Sequence, residues 1–436
     1  MSYNCPDEDS SAGGLRLPKH LPFPARSTLR ELESHLRRQL HQHLRRLGYA
    51  RTAEGALQPP QESKANFRSL HSHQRRARLR EEADFIRGNL PDLIQHFASG
   101  TEIIPEAIRP ELQLIEKESW ESDLFRLASL TWSVPVSQGY GRRMRFLVWD
   151  RSNDRLVGIM ALGDPVFNLR VRDQLVDWGV EDRNARLVNM MDAYVLGALP
   201  PYNQLLGGKL VACLVRTKEI RNFFRERYGK SKGIISKKEK RASLVMVTTS
   251  SALGRSAVYN RLALDGIRYM DPIGFTSGWG HFHIPDRLFD EMREYLRRRR
   301  HAYSDNHQFG NGPNWRLRAV RATLVKLGLN PDLLLHGISR EVFVARLALN
   351  AEAVLRGDAK RPNWSGLLAV RDVGALAVDR WVVPRAARRP EYRGWKKEMI
   401  RQLLNPRSSG TTPPPPLAAI ACESPGKTLA EVGNTQ

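Results

Sequence analysis

The segment from Asp192 to Ala212 constrains the fold most. It runs Asp192-Ala-Tyr-Val-Leu-Gly-Ala-Leu and then breaks at Pro200-Pro201. A short apolar run reads as a strand, and two prolines cannot continue it. Gly207, Gly208 and Lys209 follow and open an apolar helical run. Strand, tight turn and helix in this order put free backbone N–H groups, a helix dipole and a cation in one place. Such a place suits an anion, often a phosphate. The same order also serves purely structural ends.

Charge narrows the partners. Lys and Arg total 69 against 46 acidic residues, a net charge of +23 over 436 residues. That balance points to nucleic acid, or to another anionic surface. An arginine-rich proteome would produce it too. Cys5, Cys213 and Cys422 are too far apart in sequence for a zinc or disulfide pattern. No run of about 18 apolar residues exists, so no membrane span is expected. The polar start is unlike a secretory signal, and a reducing, cytoplasmic location is expected.

Hydrophobic periodicity divides the chain. Residues 1–26 read as a disordered N-terminus. Residues 27–109 read as a basic helical arm, opened by a capping box at Thr28-Leu-Arg-Glu. Its second helix carries Arg75, Arg76 and Arg78. Residues 110–285 alternate strands and helices as an α/β core, with a hairpin through Arg151-Ser-Asn-Asp-Arg. Residues 286–405 are basic, helical and mixed, and include Arg297, Arg298, Arg299 and Arg300. Residues 406–436 read as a disordered, Pro-rich tail. The arginine groups are candidate nucleic-acid contacts. A solvated helical face, or a helix C-terminal cap in the case of Arg297–Arg300, explains them equally.

The element order of the core resembles the GCN5-related N-acetyltransferase fold. In that fold a bulged fourth strand and the loop after it hold the pyrophosphate of acyl-coenzyme A. The resemblance implies an α+β fold: a mixed sheet flanked by helices, with the helical arm before it and a mixed α/β extension after it. The family's loop motif falls on Gln204, Gly207, Gly208 and Lys209, where lysine replaces the usual small residue. It implies a coenzyme A derivative as cofactor; the residues themselves give no cofactor to expect. Ala257-Val-Tyr259 resembles the segment bearing that family's tyrosine acid, without the usual Gly-Phe after it.

A longer resemblance spans about residues 65–405. Trp132-Ser-Val-Pro-Val-Ser-Gln-Gly-Tyr-Gly-Arg-Arg, Gly163-Asp-Pro-Val-Phe-Asn-Leu, Met191-Asp-Ala-Tyr-Val-Leu-Gly-Ala and Pro200-Pro-Tyr-Asn-Gln-Leu-Leu-Gly-Gly-Lys carry it. So do His336-Gly-Ile-Ser-Arg-Glu and Arg380-Trp-Val-Val-Pro-Arg. These strings are similar to the DruA family of the bacterial Druantia anti-phage defence system. The resemblance implies antiviral defence beside partner proteins, among them a helicase-like subunit. It implies no reaction.

Candidate chemistry is sparse. Asp192 would serve as a general base and Tyr259 as an acid in acyl transfer. Otherwise Asp192 pairs with a buried arginine and Tyr259 packs in the core. His281 and His283 share a strand face and would begin a metal site, but no third ligand has telling spacing, so no metal is expected. Asp173 and Asp177, among Arg170, Arg172 and Arg183, read as an ion-pair network. Two functions follow: a nucleic-acid-binding defence component on a non-catalytic acetyltransferase-like fold, or an active acyl-CoA-dependent transferase acting on nucleic acid or protein.

Overall fold

A computed structural model describes residues 28–51, 53, 57–58, 63–137, 139, 141–232, 239–278, 284–305, 313–334 and 339–408. Residues 1–26, the tail from 409 onward, His281 and His283 lie outside the described residues. The chain divides into two units, one of residues 1–60 with 279–337, the other of residues 61–278 with 338–436.

The smaller unit is helical. Thr28 caps the Leu29–Arg46 helix: its hydroxyl accepts from the Glu31 N–H at 3.3 Å, and its own N–H donates to the Glu31 carboxylate at 2.7 Å. Leu32, Leu36, Leu40 and Leu44 follow at helical spacing and are buried. The helices Asp286–Arg298 and Pro313–Lys326 complete the unit. Phe289 of one meets Trp315 of the other edge to face, at 5.5 Å.

The larger unit is built on a mixed seven-stranded sheet: β1 Pro110–Leu114, β2 Arg143–Asp150, β3 Arg155–Gly163, β4 Met190–Ala198, β5 Met246–Ser250, β6 Asp271–Phe275 and β7 Glu341–Arg346. Their order across the sheet is β6-β7-β5-β4-β3-β2-β1. All neighbours are antiparallel except β4 and β5, which run parallel. A parallel join needs a crossover. The helices Gly207–Leu214 and Lys218–Tyr228 supply it.

Both faces of the central strands are covered, so β2 and β3 are buried almost throughout. On one face Met144, Phe146, Met160, Met191, Ala193 and Val247 join Leu210, Val211 and Leu214 of the crossover helix. On the other face Leu147, Trp149, Ile159, Ala161 and Val195 pack with Leu124, Leu127 and Ala128 of the Trp120–Leu130 helix. The β2–β3 turn is held by the buried Asp150, whose carboxylate accepts from the Ser152 N–H, the Arg109 N–H and the Tyr202 hydroxyl. No described helix is long and apolar enough to cross a membrane.

After β5 the chain makes a single helical turn, Tyr259–Arg261. The two-residue strand Ile267–Arg268 and then β6 follow it. The glycines and prolines in this stretch limit how far regular pairing extends.

Candidate functional site

The second face of the sheet holds a cavity of about 1450 Å3 within the larger unit. Its construction follows from strand register. Arg143 pairs with Gly163, which pairs with Asp192; Arg145 pairs with Ala161, which pairs with Val195. Residues aligned across neighbouring strands share a face. Arg143 and Arg145 therefore project from the same face as Val195 and Asp192, and both arginines line the cavity. Tyr194 lines the cavity, two residues on from Asp192, and a bulge in β4 brings Val195 to the same face. Ala161 pairs with Val195 and Leu162 with Ala193, which leaves Tyr194 as the extra residue.

The glycine loop before β2 closes one wall. Gly139, at φ +68°, lies so close to the Tyr194 ring that a Cβ would sit 2.5 Å from it. Gly141, at φ +52°, lies against the Asp164 carboxylate. Arg142 anchors the loop: its guanidinium donates to Asp164 at 2.7 Å and to the carbonyls of Val188 and Met190. The other walls include Phe125, Arg126 and Leu130, then Phe167, Arg183 and Val188, and Arg227 with Tyr228.

Nine cationic residues line the cavity against two carboxylates, Asp123 and Asp164. Several are already engaged. Arg126 and Arg78 reach Glu82, Arg183 reaches Asp173, and Arg227 lies 3.8 Å from Glu116. Arg143, Arg145 and Lys117 have no carboxylate within ion-pair distance among the described residues. Burial raises the Tyr194 hydroxyl above its ordinary pKa, while the positive charges of Arg143 and Arg145 pull it back. These three cations share the cavity lining with the rings of Phe125, Trp132, Tyr194 and Tyr228.

The residues proposed from sequence are distributed differently. Arg75 lines the cavity but is buried, and its guanidinium donates to the carbonyls of Trp132, Ser408 and Leu403. Arg76 is exposed, and Arg78 pairs with Glu82 at 2.6 Å. In the helical unit Arg297 bonds Glu294 and Asp305, Arg298 bonds Glu294, and Arg299 bonds Glu33. Arg300 is exposed. Of these paired arginines only Arg299 is itself exposed; Arg297 and Arg298 are partly shielded against Glu294.

Asp192 and Tyr259 do not come together. Asp192 lies opposite Gly163 on the cavity face, accepts the Thr248 hydroxyl at 2.7 Å, and feels the positive charge of Arg172. Desolvation outweighs both and pushes its carboxyl up to about 6. Tyr259 packs on the first face, against Phe343, and its hydroxyl donates to the Leu196 carbonyl at 3.3 Å. Leu196 is four residues along β4 from Asp192, roughly 13 Å at the usual strand rise. Burial drives the Tyr259 hydroxyl strongly upward, away from proton exchange near neutrality.

The residues of the glycine turn do not fit a pyrophosphate cradle. At Gly207 a Cβ would lie 2.6 Å from the Tyr202 carbonyl oxygen, so backbone packing accounts for that glycine. The Lys209 ammonium sits over the Trp381 ring at 5.0 Å. Arg385 donates to the Gln204 carbonyl, while the Gln204 amide nitrogen is buried without a partner. Gly208 alone has open space, and Val258 would lie 4.0 Å from a Cβ added there.

Asp173 accepts from Arg172 and Arg183, both at 2.6 Å, and from the Trp178 indole. This is part of the expected ion-pair network: Asp177 and Arg170 have no ion-pair partner among the described residues. Among the described residues no cluster of three metal-ligating side chains occurs.

The fold and site define an α+β protein with a recessed, arginine-rich cavity on its sheet. The family model described as Druantia protein DruA matches residues 61–357. Druantia protein DruA of Escherichia coli (strain UMEA 4076-1) is 52% identical over 389 residues, covering 89% of this chain and 96% of that protein. The chain belongs to the DruA family. No solved structure matches it.

Proposed function

We propose that this protein is a nucleic-acid-binding component of a Druantia anti-phage defence system, acting with partner proteins such as a helicase-like subunit. The observation that carries the binding role is the trio Arg143, Arg145 and Lys117, which have no counter-ion among the described residues in an aromatic-walled cavity. The bulged β4 and the parallel join of β4 to β5 support an acetyltransferase-like sheet. Lys209 on Trp381, and Tyr259 on the face away from Asp192, favour a non-catalytic version of it. The other reading, an acyl-CoA-dependent transferase, keeps Asp192 as its base. Mass spectrometry of the native protein for a coenzyme A adduct or complex separates the two.

The binding role has a direct test. Oligonucleotide affinity should fall steeply with salt, with a log–log slope of about −0.7 to −0.9 per phosphate contacted. Affinity that stays constant between low and moderate salt overturns it. In cells carrying the complete defence system, a soluble Arg143→Gln/Arg145→Gln protein should lose phage protection.

A further inference from the structure

We propose that the cavity receives an unpaired stretch of nucleic acid, with a base against Tyr194 and phosphates on Arg143, Arg145 and Lys117. This rests on the nucleic-acid reading above and names the form of nucleic acid that enters.

Three observations lead there. The first is depth. Arg145 is partly buried, with its guanidinium 5.7 Å from the Phe125 ring, and it lines the cavity together with Phe125, Leu130 and Tyr194. A duplex offers phosphates on a stiff, convex backbone and keeps its bases stacked inside, so it would meet the rim only. A single strand can bend into a recess and expose its bases there.

The second is the lining. Tyr194, Tyr228, Phe125 and Trp132 stand among the cations. A site for phosphate alone needs no aromatic surface. Sites for single strands combine a basic groove with rings on which bases stack. Gly139 covers one part of the Tyr194 ring, and its missing side chain lets the loop approach without filling the hollow.

The third is size. At about 1450 Å3 the space exceeds the roughly 300–1000 Å3 that a small ligand occupies. It suits a short run of nucleotides better than one free nucleotide.

The test uses the full-length protein and four probes of matched sequence: single-stranded DNA, single-stranded RNA, duplex DNA, and duplex DNA with one bulged nucleotide. Each carries one 2-aminopurine, whose fluorescence falls when it stacks; ATP serves as the free-nucleotide arm. Anisotropy gives affinity. Single strands and the bulged duplex should bind on the order of tenfold or more tighter than the perfect duplex, with quenching that Tyr194→Leu removes. Arg143→Gln/Arg145→Gln should lower the single-strand salt slope by about 1.4, at roughly 0.7 per lost contact. Tyr194→Phe keeps the ring and should keep the quenching, so it controls for a folding defect in Tyr194→Leu. Equal affinity for perfect duplex and single strand, without quenching, overturns the proposal but leaves nucleic-acid binding standing. So does an unchanged salt slope in the double variant. ATP binding that matches the single strand in affinity overturns it in favour of a free-nucleotide site. No binding to any oligonucleotide removes both readings.

Discussion

Replacing Asp192 by asparagine should stabilise the protein at neutral pH and leave it unchanged in acid. The carboxyl sits at the sheet surface beside Gly163, where lost hydration outweighs the Thr248 hydrogen bond and the Arg172 charge. Its pKa rises from 3.8 to about 6. The folded value lies above the unfolded one, so protonation favours the fold. That contribution is complete below the unfolded pKa and is lost as pH rises through the folded pKa. At roughly 1.4 kcal/mol per pH unit, the ionised fold is penalised by up to about 3 kcal/mol at pH 7. Partial solvent contact screens the charge and trims this to about 1–3 kcal/mol. An amide keeps an oxygen for the Thr248 hydroxyl and carries no charge to desolvate. One kcal/mol moves the melting midpoint by roughly 2–4 °C in a domain of 150–250 residues, and by less in a larger one. Asp192→Asn should therefore raise the midpoint by a few degrees at pH 7 and not at all near pH 2, well below the unfolded pKa. Thermal melts of both proteins across that range, with urea titrations at each end, give the answer. A variant less stable than the parent at pH 7 would show that Arg172 stabilises the carboxylate more than burial opposes it. An equal offset at both ends would show that ionisation is not the cause.

Other substitutions separate packing from surface roles. Gly207→Ala forces a Cβ to 2.6 Å from the Tyr202 carbonyl oxygen and should cost about 1–3 kcal/mol in urea unfolding. Gly208→Ala meets only Val258 at 4.0 Å and should gain up to about 1 kcal/mol over glycine in the same assay. Arg75→Met removes three bonds to carbonyl groups and should cost about 2–4 kcal/mol, whereas Arg76→Ala should stay within about 0.5 kcal/mol. Tyr259→Phe loses one hydrogen bond, to the Leu196 carbonyl, and should cost about 0.5–1.5 kcal/mol while the protein stays folded.

The parts of the fold that were legible in sequence are those set by local chemistry. The Thr28 capping box, the β2–β3 hairpin and the break at Pro200-Pro201 each depend on residues within a few positions of one another. The roles of the arginines depend on distant partners. Arg75 looks like its neighbour Arg76 in sequence, yet one is a buried clamp on the chain's own carbonyls and the other faces solvent. Arg297, Arg298 and Arg299 resemble an exposed basic patch until Glu294, Asp305 and Glu33 are placed beside them.

The cavity was half legible. Arg143 and Arg145 alternate in an otherwise apolar strand, which puts two cations on one face by the period of two. Asp192 and Tyr194 alternate in the same way. What joins these pairs is the pairing of three strands, and a slip of one residue would send each to the opposite face. The bulge adds a second condition, since it lets Tyr194 and Val195 serve the same face although they are adjacent in sequence. Nothing in β4 alone marks where the bulge must fall, because the partner strand β3 decides it.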